Sequence, residues 1–439
     1  MTELTAKVFE TIDGMRDEIV EKISEVVRIP SINPKYPGVV AEEVLGGETN
    51  ANQVVAELYR TIGCEVDVWE AEARRANAVG VLQGAGGGKS LIFNGHIDTV
   101  PTGRPDDWRW SNPFSGKVDG GKIYGRGSCD MKGPVVSQAM AALALQRLGI
   151  RLKGDLLLES VVGEEVMDHE AGVTATVRRG YRADAAVVSE ASAPVRPLAI
   201  VPISPGLLWM AVTCRGKSSH ASTRAETFRA GGFGASVAVN AIDKGMFIFE
   251  CLRKLEDEWG LTKIHDLFKP GHFTLHPGVV MGAPHGVGVP FFISEYCTIE
   301  YAIWYHPEQS EEEVKREVES QIHHAAQLDE WLRENPPEVE WKLHWPPFSV
   351  DRDHPICKAM AAAHETAARG TPFEGPAAMQ GFYAVCDAAF LSAKGIPSLV
   401  YGPGSLLQAH AVDEFLDISE LMVATKAYAQ VAMDWCGVA

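Results

Sequence analysis

The chain has 439 residues, of which 46% are hydrophobic and 22% charged, a composition typical of a soluble globular protein. Its net charge of −18, without a long basic run, argues against nucleic acid or an anionic membrane surface as a partner. No apolar stretch approaches the roughly 20 residues of a membrane span. The N-terminal residues form an amphipathic helix pattern with mixed charges, which is not the pattern of a signal peptide. The length allows two or three domains.

The cysteines favour a reducing compartment. They are scattered, contain no C-x-x-C pair and lie mostly in apolar surroundings. We therefore expect free buried thiols in a cytoplasmic protein.

The first part of the chain alternates helices and strands. The patterns predict helices over 4–28, 50–62 and 135–148, and strands over 65–69, 78–83, 91–93, 155–162 and 185–189. The continuous apolar strands are those of a sheet covered on both sides. We expect a doubly wound α/β domain, with helices on both faces of a mixed sheet.

The pattern changes after a predicted hinge at 202–205. Predicted strands at 207–214, 272–280, 296–305 and 339–345 are separated by helices at 232–259 and 310–332, the second opened by a Ser310–Glu313 capping box. This β-α-β-β-α-β order predicts a ferredoxin-like sandwich. Beyond Pro346-Pro347 we predict a helix over 354–368, a strand over 398–401 and a last helix over 418–434. The expected domains are 1–204 with 347–439, and an inserted domain at 205–346.

One short stretch suggests chemistry. The apolar run Leu91-Ile92-Phe93 is followed by Asn94-Gly95, and then by His96 and Asp98 two residues apart. Residues two apart in an extended chain share a face. The end of a buried strand is where α/β proteins place their ligands. A histidine beside a carboxylate suits a metal ligand, although a solvated pair is an equally good interpretation of this fragment alone.

Further polar groups follow apolar runs or lie beside glycines. They are His96, Asp130, Glu164, Glu165, Glu190 and His410. Imidazoles and carboxylates without thiolates suit zinc, cobalt or manganese. Six groups exceed the three protein ligands of a single catalytic zinc, so they fit two metal ions bridged by one carboxylate.

Five segments, GHIDTVP, GRGSCDMKG, GEE, SEAS and AHAVDE, resemble the signature blocks of a dinuclear metallohydrolase family. That family includes acetylornithine deacetylase, succinyl-diaminopimelate desuccinylase, aminoacylase and glutamate carboxypeptidase. The resemblance covers the chain from about residue 20 to its end, with the blocks in the family's order. It implies a phosphorylase/hydrolase-like catalytic domain and an inserted lid that makes a homodimer.

The resemblance also implies roles for individual residues. His96 and Glu190 would bind one metal ion, Glu165 and His410 the other, and Asp130 would bridge them. Asp98 would orient His96, and Glu164 would act as general base for a metal-bound hydroxide. A cis peptide is expected at Asp130-Met131. We expect two divalent ions, zinc first and cobalt or manganese as alternatives, with one position allowed to be only partly filled.

Other matches to the family lie outside the metal ligands. His220, in GKSSHAS of the inserted domain, would reach the active site of the partner subunit and stabilise the oxyanion. Asp387 would lie in a loop near the site. Gly402 and Gly404 would let the backbone approach closely before His410, at the substrate-binding side.

The substrate-reading parts depart from the family pattern. Trp304 stands where many relatives carry an arginine that binds the substrate's carboxylate, and a flat apolar ring cannot replace that bidentate cation. Segments 276–282 and 380–386 also differ from the usual loops. A substrate with an aromatic or apolar portion is therefore expected, unless Trp304 only packs in the core.

The leading hypothesis is metal-dependent deacylation of an N-acyl amino acid, of the acetylornithine deacetylase type. The alternatives are an aminohydrolase acting on another C–N bond, such as that of an aromatic amine, and a dipeptidase or carboxypeptidase. A metal-bearing, non-catalytic binding protein is disfavoured because Glu164 and the five ligands are all present.

Overall fold

The computed structural model describes residues 2–192, 196–283 and 287–439. The chain divides into two units. The first unit comprises Met1–Ile203, Phe348–Phe382 and Cys386–Ala439. The second unit comprises Ser204–Pro347 and Tyr383–Val385. The second unit is thus an insertion in the chain of the first.

The helices and 3-10 turns of the described residues alternate with strands along most of the chain. The α-helices are α1 (Glu3–Gly14), α2 (Arg16–Val27), α3 (Ala41–Val44), α4 (Gly47–Ile62), α5 (Lys132–Arg147), α6 (Val173–Arg178), α7 (Arg224–Phe228), α8 (Ala241–Thr262), α9 (Glu311–Gln327), α10 (Glu330–Glu334), α11 (Pro355–Ala367), α12 (Ala388–Ala393) and α13 (Ile418–Cys436). Short 3-10 turns are Pro105–Asp107, Glu164–Val166, Ala221–Thr223 and Gly234–Ser236.

The strands of the described residues form four sheets. They are β1 (Glu65–Glu72), β2 (Arg75–Leu82), β3 (Leu91–His96), β4 (Lys117–Asp119), β5 (Lys122–Tyr124), β6 (Leu156–Val161), β7 (Ala186–Val188), β8 (Gly206–Arg215), β9 (Ser219–His220), β10 (Thr274–Met281), β11 (Phe292–Ile293), β12 (Tyr296–Tyr305), β13 (Glu338–Trp345), β14 (Ser398–Val400) and β15 (Phe415–Asp417).

The first unit is built on a mixed six-stranded sheet with the order β1-β2-β6-β3-β7-β14. Strands β6, β3, β7 and β14 are parallel neighbours, whereas β1 and β2 join as an antiparallel edge. The expected α/β sheet is therefore present, and it is mixed because of this edge. A small antiparallel sheet, β15-β5-β4, completes the unit.

Side chains of adjacent residues on β3 show that helices cover both faces of this sheet. Phe93 packs against Tyr428 of α13, with ring centroids 5.4 Å apart. The next residue, Asn94, donates to Glu159 of β6. Burial raises the pKa of Glu159 to about 7, and the side chains of Asn94 and of Thr176 on α6 oppose this shift, so Thr176 lies close to this carboxyl group. Because successive residues of a strand point to opposite faces, α13 and α6 lie on opposite sides of the sheet.

The second unit contains a four-stranded antiparallel sheet with the order β10-β12-β8-β13. With helices α8 and α9 between the strands, the chain follows the β-α-β-β-α-β order of a ferredoxin-like sandwich. Residues of β12 alternate between buried and half-buried. A Cβ on Gly245 of α8 would lie 2.5 Å from the sulfur of Cys297, so the buried face of β12 is the face that α8 covers.

Three predicted helices are wrong in extent. The predicted helix over 4–28 is two helices that meet at Met15. The predicted helix over 232–259 begins at Ala241, where the side chain of Asn240 caps the first turn. The predicted helix over 310–332 ends at Gln327, because Asp329 caps a separate helix by accepting from two backbone N–H groups.

Candidate metal centre

The sheet topology brings the carboxyl ends of three strands together in the first unit. Strands β3, β6 and β7 are parallel neighbours, so their carboxyl ends lie side by side. His96 ends β3, Glu164 and Glu165 follow β6, and Glu190 follows β7. A crevice outside the carboxyl ends of parallel strands is the usual ligand site of an α/β sheet.

Two loops bring the remaining groups to this edge. Asp130 lies two residues before α5, and the Asp130-Met131 peptide is cis, as expected. His410 lies in the loop between β14 and β15. Its backbone φ is 61°, in the left-handed region that non-glycine residues seldom adopt.

Carboxylates surround the Nε2 atom of His96. This atom lies 3.1 Å from Asp130 Oδ1, 3.4 Å from Glu190 Oε1 and 3.8 Å from Glu164 Oε2. Ligand atoms of His96, Glu164 and Glu190 all lie within 4.8 Å of one another. Glu164 is therefore within reach of anything held by His96 and Glu190.

A second imidazole faces the other oxygen of Asp130. His410 Nε2 lies 3.0 Å from Glu165 Oε2 and 3.4 Å from Asp130 Oδ2. Each carboxylate oxygen of Asp130 thus faces a different histidine. This is the arrangement that a bridging ligand between two ions requires.

The centre contains far more acidic than basic groups, and the pKa values reflect this. Burial raises the pKa of Glu164 well above its usual range, and neighbouring carboxylates add to this effect while His96 opposes it. Burial raises the pKa of Glu165 to about 7. Burial would lower the pKa of His410, but hydrogen bonds to Asp130 and Glu165 raise it to about 10. The cluster therefore attracts positive charge.

The residues fit divalent ions. The donor set is imidazole nitrogen and carboxylate oxygen, which suits zinc and its neighbours. Glu165 Oε1 is buried and has no hydrogen-bond partner among the described residues, so it is a free acceptor at the centre. Cations would supply the positive charge that these buried carboxylates lack.

Asp98 is completely buried beside the centre and holds two parts of it. His96 Nδ1 lies 3.0 Å from the backbone oxygen of Asp98 and 3.6 Å from its carboxylate. The carboxylate instead accepts from the backbone N–H groups of Gly163 at 3.0 Å and Glu165 at 3.1 Å. It also accepts from the side chain of Asn33 at 2.7 Å. Asp98 therefore fixes both the ring of His96 and the loop that carries Glu164 and Glu165.

Asp387, at the start of α12, lies close enough for its charge to contribute to the raised pKa of Glu164. It is 2% exposed, and neither carboxylate oxygen has a hydrogen-bond partner among the described residues. Burial raises the pKa of Asp387 well above its usual range. Such a group can donate or accept a hydrogen bond toward a bound molecule.

Gly402 and Gly404 allow close packing of the His410 loop. A Cβ on Gly402 would lie 2.4 Å from the carbonyl oxygen of Glu190, and one on Gly404 would lie 2.4 Å from the sulfur of Cys129. Larger residues would push this loop away from the segment after β7 that carries Glu190. In this structure the two glycines pack against the protein itself.

His220 and Trp304 belong to the second unit. His220, on β9, is exposed, and its Nδ1 lies 2.8 Å from the hydroxyl of Ser222. Trp304 is half-buried on the face of β12 opposite α8, on the same face as Trp209. Trp304 is thus outside the core between sheet and helices.

Three residues that contact the centre had no role in the sequence-based prediction. Asn33 holds Asp98 from a loop 65 positions earlier, where no local pattern indicates it. Arg126 and Glu414 lie within the segments GRGSCDMKG and AHAVDE. The five segments therefore include both residues, but the sequence does not indicate which residues they contact.

A centre of two imidazoles and clustered carboxylates, at the carboxyl edge of a mixed α/β sheet, defines a metal-dependent hydrolase. The chain belongs to peptidase family M20/M25/M40, whose model matches residues 92–434. The family resemblance inferred from the five segments is confirmed. Members of this family and its relatives act on C–N bonds.

Similar proteins cover nearly the whole chain. An N-formyl-4-amino-5-aminomethyl-2-methylpyrimidine deformylase from Halalkalibacterium halodurans is 33% identical, over 97% of this chain and 96% of its own. An enzyme of the same name from Bacillus subtilis is 32% identical, over 87% of this chain and 88% of its own. An acetylornithine deacetylase from Vibrio atlanticus is 25% identical, over 89% of this chain and 94% of its own.

A solved structure supports the fold. A dinuclear metal-binding peptidase of the M20 family from Bacillus subtilis superposes with a TM-score of 0.62 at 16% identity, over 97% of this chain and 100% of its own. None of the helices in the described residues has both the length and the apolar character needed to cross a membrane.

Proposed function

We propose that this protein is a metal-dependent deformylase. Its substrate would be the formamide of a small aminomethyl-substituted aminopyrimidine, or of a closely related heteroaromatic amine. The observation that carries the proposal is the 33% identity over nearly the full length to a deformylase of this kind. Trp304, in place of the arginine expected for a carboxylate-bearing substrate, is consistent with it.

In this proposal His96, Asp130, Glu165, Glu190 and His410 hold two divalent ions, of which zinc best suits the donor set. Ions bound at these residues would supply polarisation of the formyl oxygen and a lowered pKa for a water molecule. Glu164 takes a proton from the attacking water and returns it to the leaving nitrogen. The oxygen of that water bonds to the formyl carbon, the C–N bond breaks, and formate and the free amine are released.

Residues other than the five proposed metal ligands would bind the ring of the substrate. Asp387 has two buried oxygens without partners among the described residues, and a carboxyl group can pair with an amino group and an adjacent ring nitrogen of a pyrimidine. The family resemblance puts Trp304 at a substrate-binding position, where an aromatic ring would offer a face for stacking.

An assay of products tests the reaction. The metal-loaded protein is given the N-formyl aminopyrimidine, acetylornithine, a dipeptide and the unformylated aminopyrimidine in separate reactions. We expect formate and amine in equal amounts from the first substrate, with much slower turnover of the others. Ammonia without formate would instead support a deaminase. Faster cleavage of acetylornithine or the dipeptide would overturn the proposal in favour of the other candidates.

A pair of variants tests how the substrate is read. Trp304→Arg should lower kcat/KM for the formyl aminopyrimidine and raise it for acyl amino acids, which carry a carboxylate. Trp209→Arg is the matched control, because Trp209 lies on the same sheet face and is 40% exposed. Equal effects of the two substitutions on kcat/KM would remove Trp304 from substrate recognition.

We further propose that two copies associate through the second unit, with His220 serving the partner's site. His220 pairs across β9 and β11 with Phe292, which is 47% exposed, and the neighbouring Phe291 is 64% exposed. Exposed aromatic side chains around a polar residue are typical of an interface.

All eight cysteines are free thiols, which supports placing the protein in the cytoplasm.

Complementation tests the role of His220. His220→Ala and Glu164→Ala should each be nearly inactive and should each keep their metal. When the two are unfolded together and refolded as a mixture, up to about a quarter of the activity should return, because half of the dimers then contain one intact site. A monomer in solution, or a mixture without activity, would contradict the proposal.

A further inference from the structure

We propose that Arg126 and Glu414 form a positioning clamp, which holds the Asp130 loop and the His410 loop together so that both metal positions can fill. This inference rests on the proposed metal centre but concerns residues that do not touch the ions. We define the clamp as the side chains of Arg126 and Glu414 only.

Glu414 fixes the Asp130 loop. Its Oε1 atom accepts hydrogen bonds from the backbone N–H groups of Cys129 at 2.9 Å and Asp130 at 3.1 Å. The side chain is fully buried, so these bonds do not compete with water. Glu414 itself is placed by the backbone, because its carbonyl oxygen accepts from Gly125 N at 2.9 Å beside the β5–β15 pairing.

Arg126 connects this carboxylate to the His410 loop. Its Nη1 donates to the second oxygen of Glu414 at 2.5 Å. Its Nη2 donates to the backbone oxygen of His410 at 3.1 Å, and lies 3.4 Å from that of Pro101. The guanidinium also lies 5.2 Å from the ring of Trp108. A planar fork can make these contacts at once, whereas an ammonium cannot reproduce their geometry.

The His410 loop needs such a restraint. His410 and Asp413 both have positive φ, 61° and 57°, which is costly for residues with a side chain. The imidazole of His410 is also 54% exposed, so side-chain packing alone does not hold it. The hydrogen bond to its carbonyl oxygen therefore fixes the distance between His410 and Asp130, whose facing atoms lie 3.4 Å apart.

If Arg126 and Glu414 only stabilised the fold, their substitution would lower stability without weakening metal binding. The test therefore distinguishes a loss of stability from a loss of metal affinity. Arg126→Lys keeps the charge beside Glu414 but loses the fork, and Glu414→Gln keeps the shape but loses the charge. Leu145→Ala, a truncation of a fully buried side chain on α5, is the destabilised control. Metal affinity is measured by competition with a chelator, and backbone hydrogen exchange is measured on the metal-free proteins.

We expect both clamp variants to bind the second equivalent of metal about 10–100-fold more weakly. Exchange should become faster in peptides covering 125–131 and 404–414 together. The Leu145→Ala control should lower the melting temperature and leave both affinities within about twofold. Clamp variants with wild-type affinity, or with exchange no faster than in the control, would overturn the proposal.

Failure of the metal centre itself is distinguishable from failure of the clamp. If the wild-type protein takes up no second metal ion, the proposed centre is wrong. If it does, and its metal-free form leaves the amides of Cys129 and Asp130 unprotected from exchange, only the clamp is wrong. This second measurement needs no variant, so it stands even if a substituted protein does not fold.

Discussion

The carboxylate of Asp98 lies 3.1 Å from the backbone nitrogen of Glu165. The imidazole of His96, in contrast, is held by the backbone oxygen of Asp98 at 3.0 Å. One residue therefore uses its side chain for the loop of Glu164 and Glu165 and its main chain for a histidine. Outer groups of this kind set the orientation of metal ligands and tune their affinity.

Asp98→Asn should disturb the loop while leaving the backbone contact to His96. An amide retains one acceptor oxygen but presents an NH2 group to donors that need the other. We expect kcat to fall about 10–100-fold and hydrogen exchange to accelerate at 163–166. Asp119→Asn, an exposed carboxylate, is the control. Unchanged hydrogen exchange at 163–166 would show that the Asp98 side chain does not hold this loop, and would leave only its backbone contact with His96.

Glu164→Ala should separate metal binding from turnover. Because the five proposed ligands remain, metal content should stay near that of the wild type, while kcat falls by about 10²–10⁴-fold. Glu165→Ala is the comparison, since it removes a proposed ligand and should lose metal. Elemental analysis and steady-state kinetics measure both effects. Loss of metal from Glu164→Ala, or retained activity, would refute the role of general base.

Removal of metal should abolish activity and lower stability. Without cations the clustered carboxylates repel one another, and binding stabilises the folded state by about 2.7 kcal/mol at a metal concentration 100 times Kd. Thermal unfolding before and after chelation measures the change, and zinc, cobalt or manganese should restore both properties. In Asp130→Asn, which lacks the bridging charge, the stabilisation should be smaller. A chelated protein with full activity would contradict the metal-dependent mechanism.

The sequence predicts the residues of the metal centre better than it predicts the contacts that hold them in place. His96 ends an apolar strand, and Glu164 and Glu190 each come shortly after one. The ends of parallel strands lie side by side, so these positions can be predicted without knowledge of distant contacts. Asn33 and Asp98, in contrast, lie 65 positions apart, and their hydrogen bond depends on how the intervening chain folds. Strand and helix types were predictable for the same reason, since periodicity is local.

Two of the three helix predictions that were wrong in extent failed where a polar side chain caps the start of a helix. The start of α8 depends on one capping contact from Asn240, which the helical periodicity of the following residues does not reveal. Asp329 similarly separates α9 from α10. These polar contacts compete with helix propensity over only one or two residues, so a pattern taken over a longer window misses them.

His272 should make the stability of the second unit depend on pH. Burial lowers the pKa of His272 to about 4, its ring stacks on Phe268 at 4.7 Å, and its buried Nε2 has no partner among the described residues. The unfolded chain binds a proton near pH 6.5, so it holds more protons than the folded chain between pH 6.5 and 4. Stability should therefore fall as the pH drops through this window, by about 1–2 kcal/mol after allowance for screening. Urea unfolding at pH 7 and pH 4.5 measures this loss of stability. His272→Phe should remove it, whereas His323→Gln, a substitution of an exposed histidine, should retain it. The same pH dependence in His272→Phe and in the wild type would contradict the assignment.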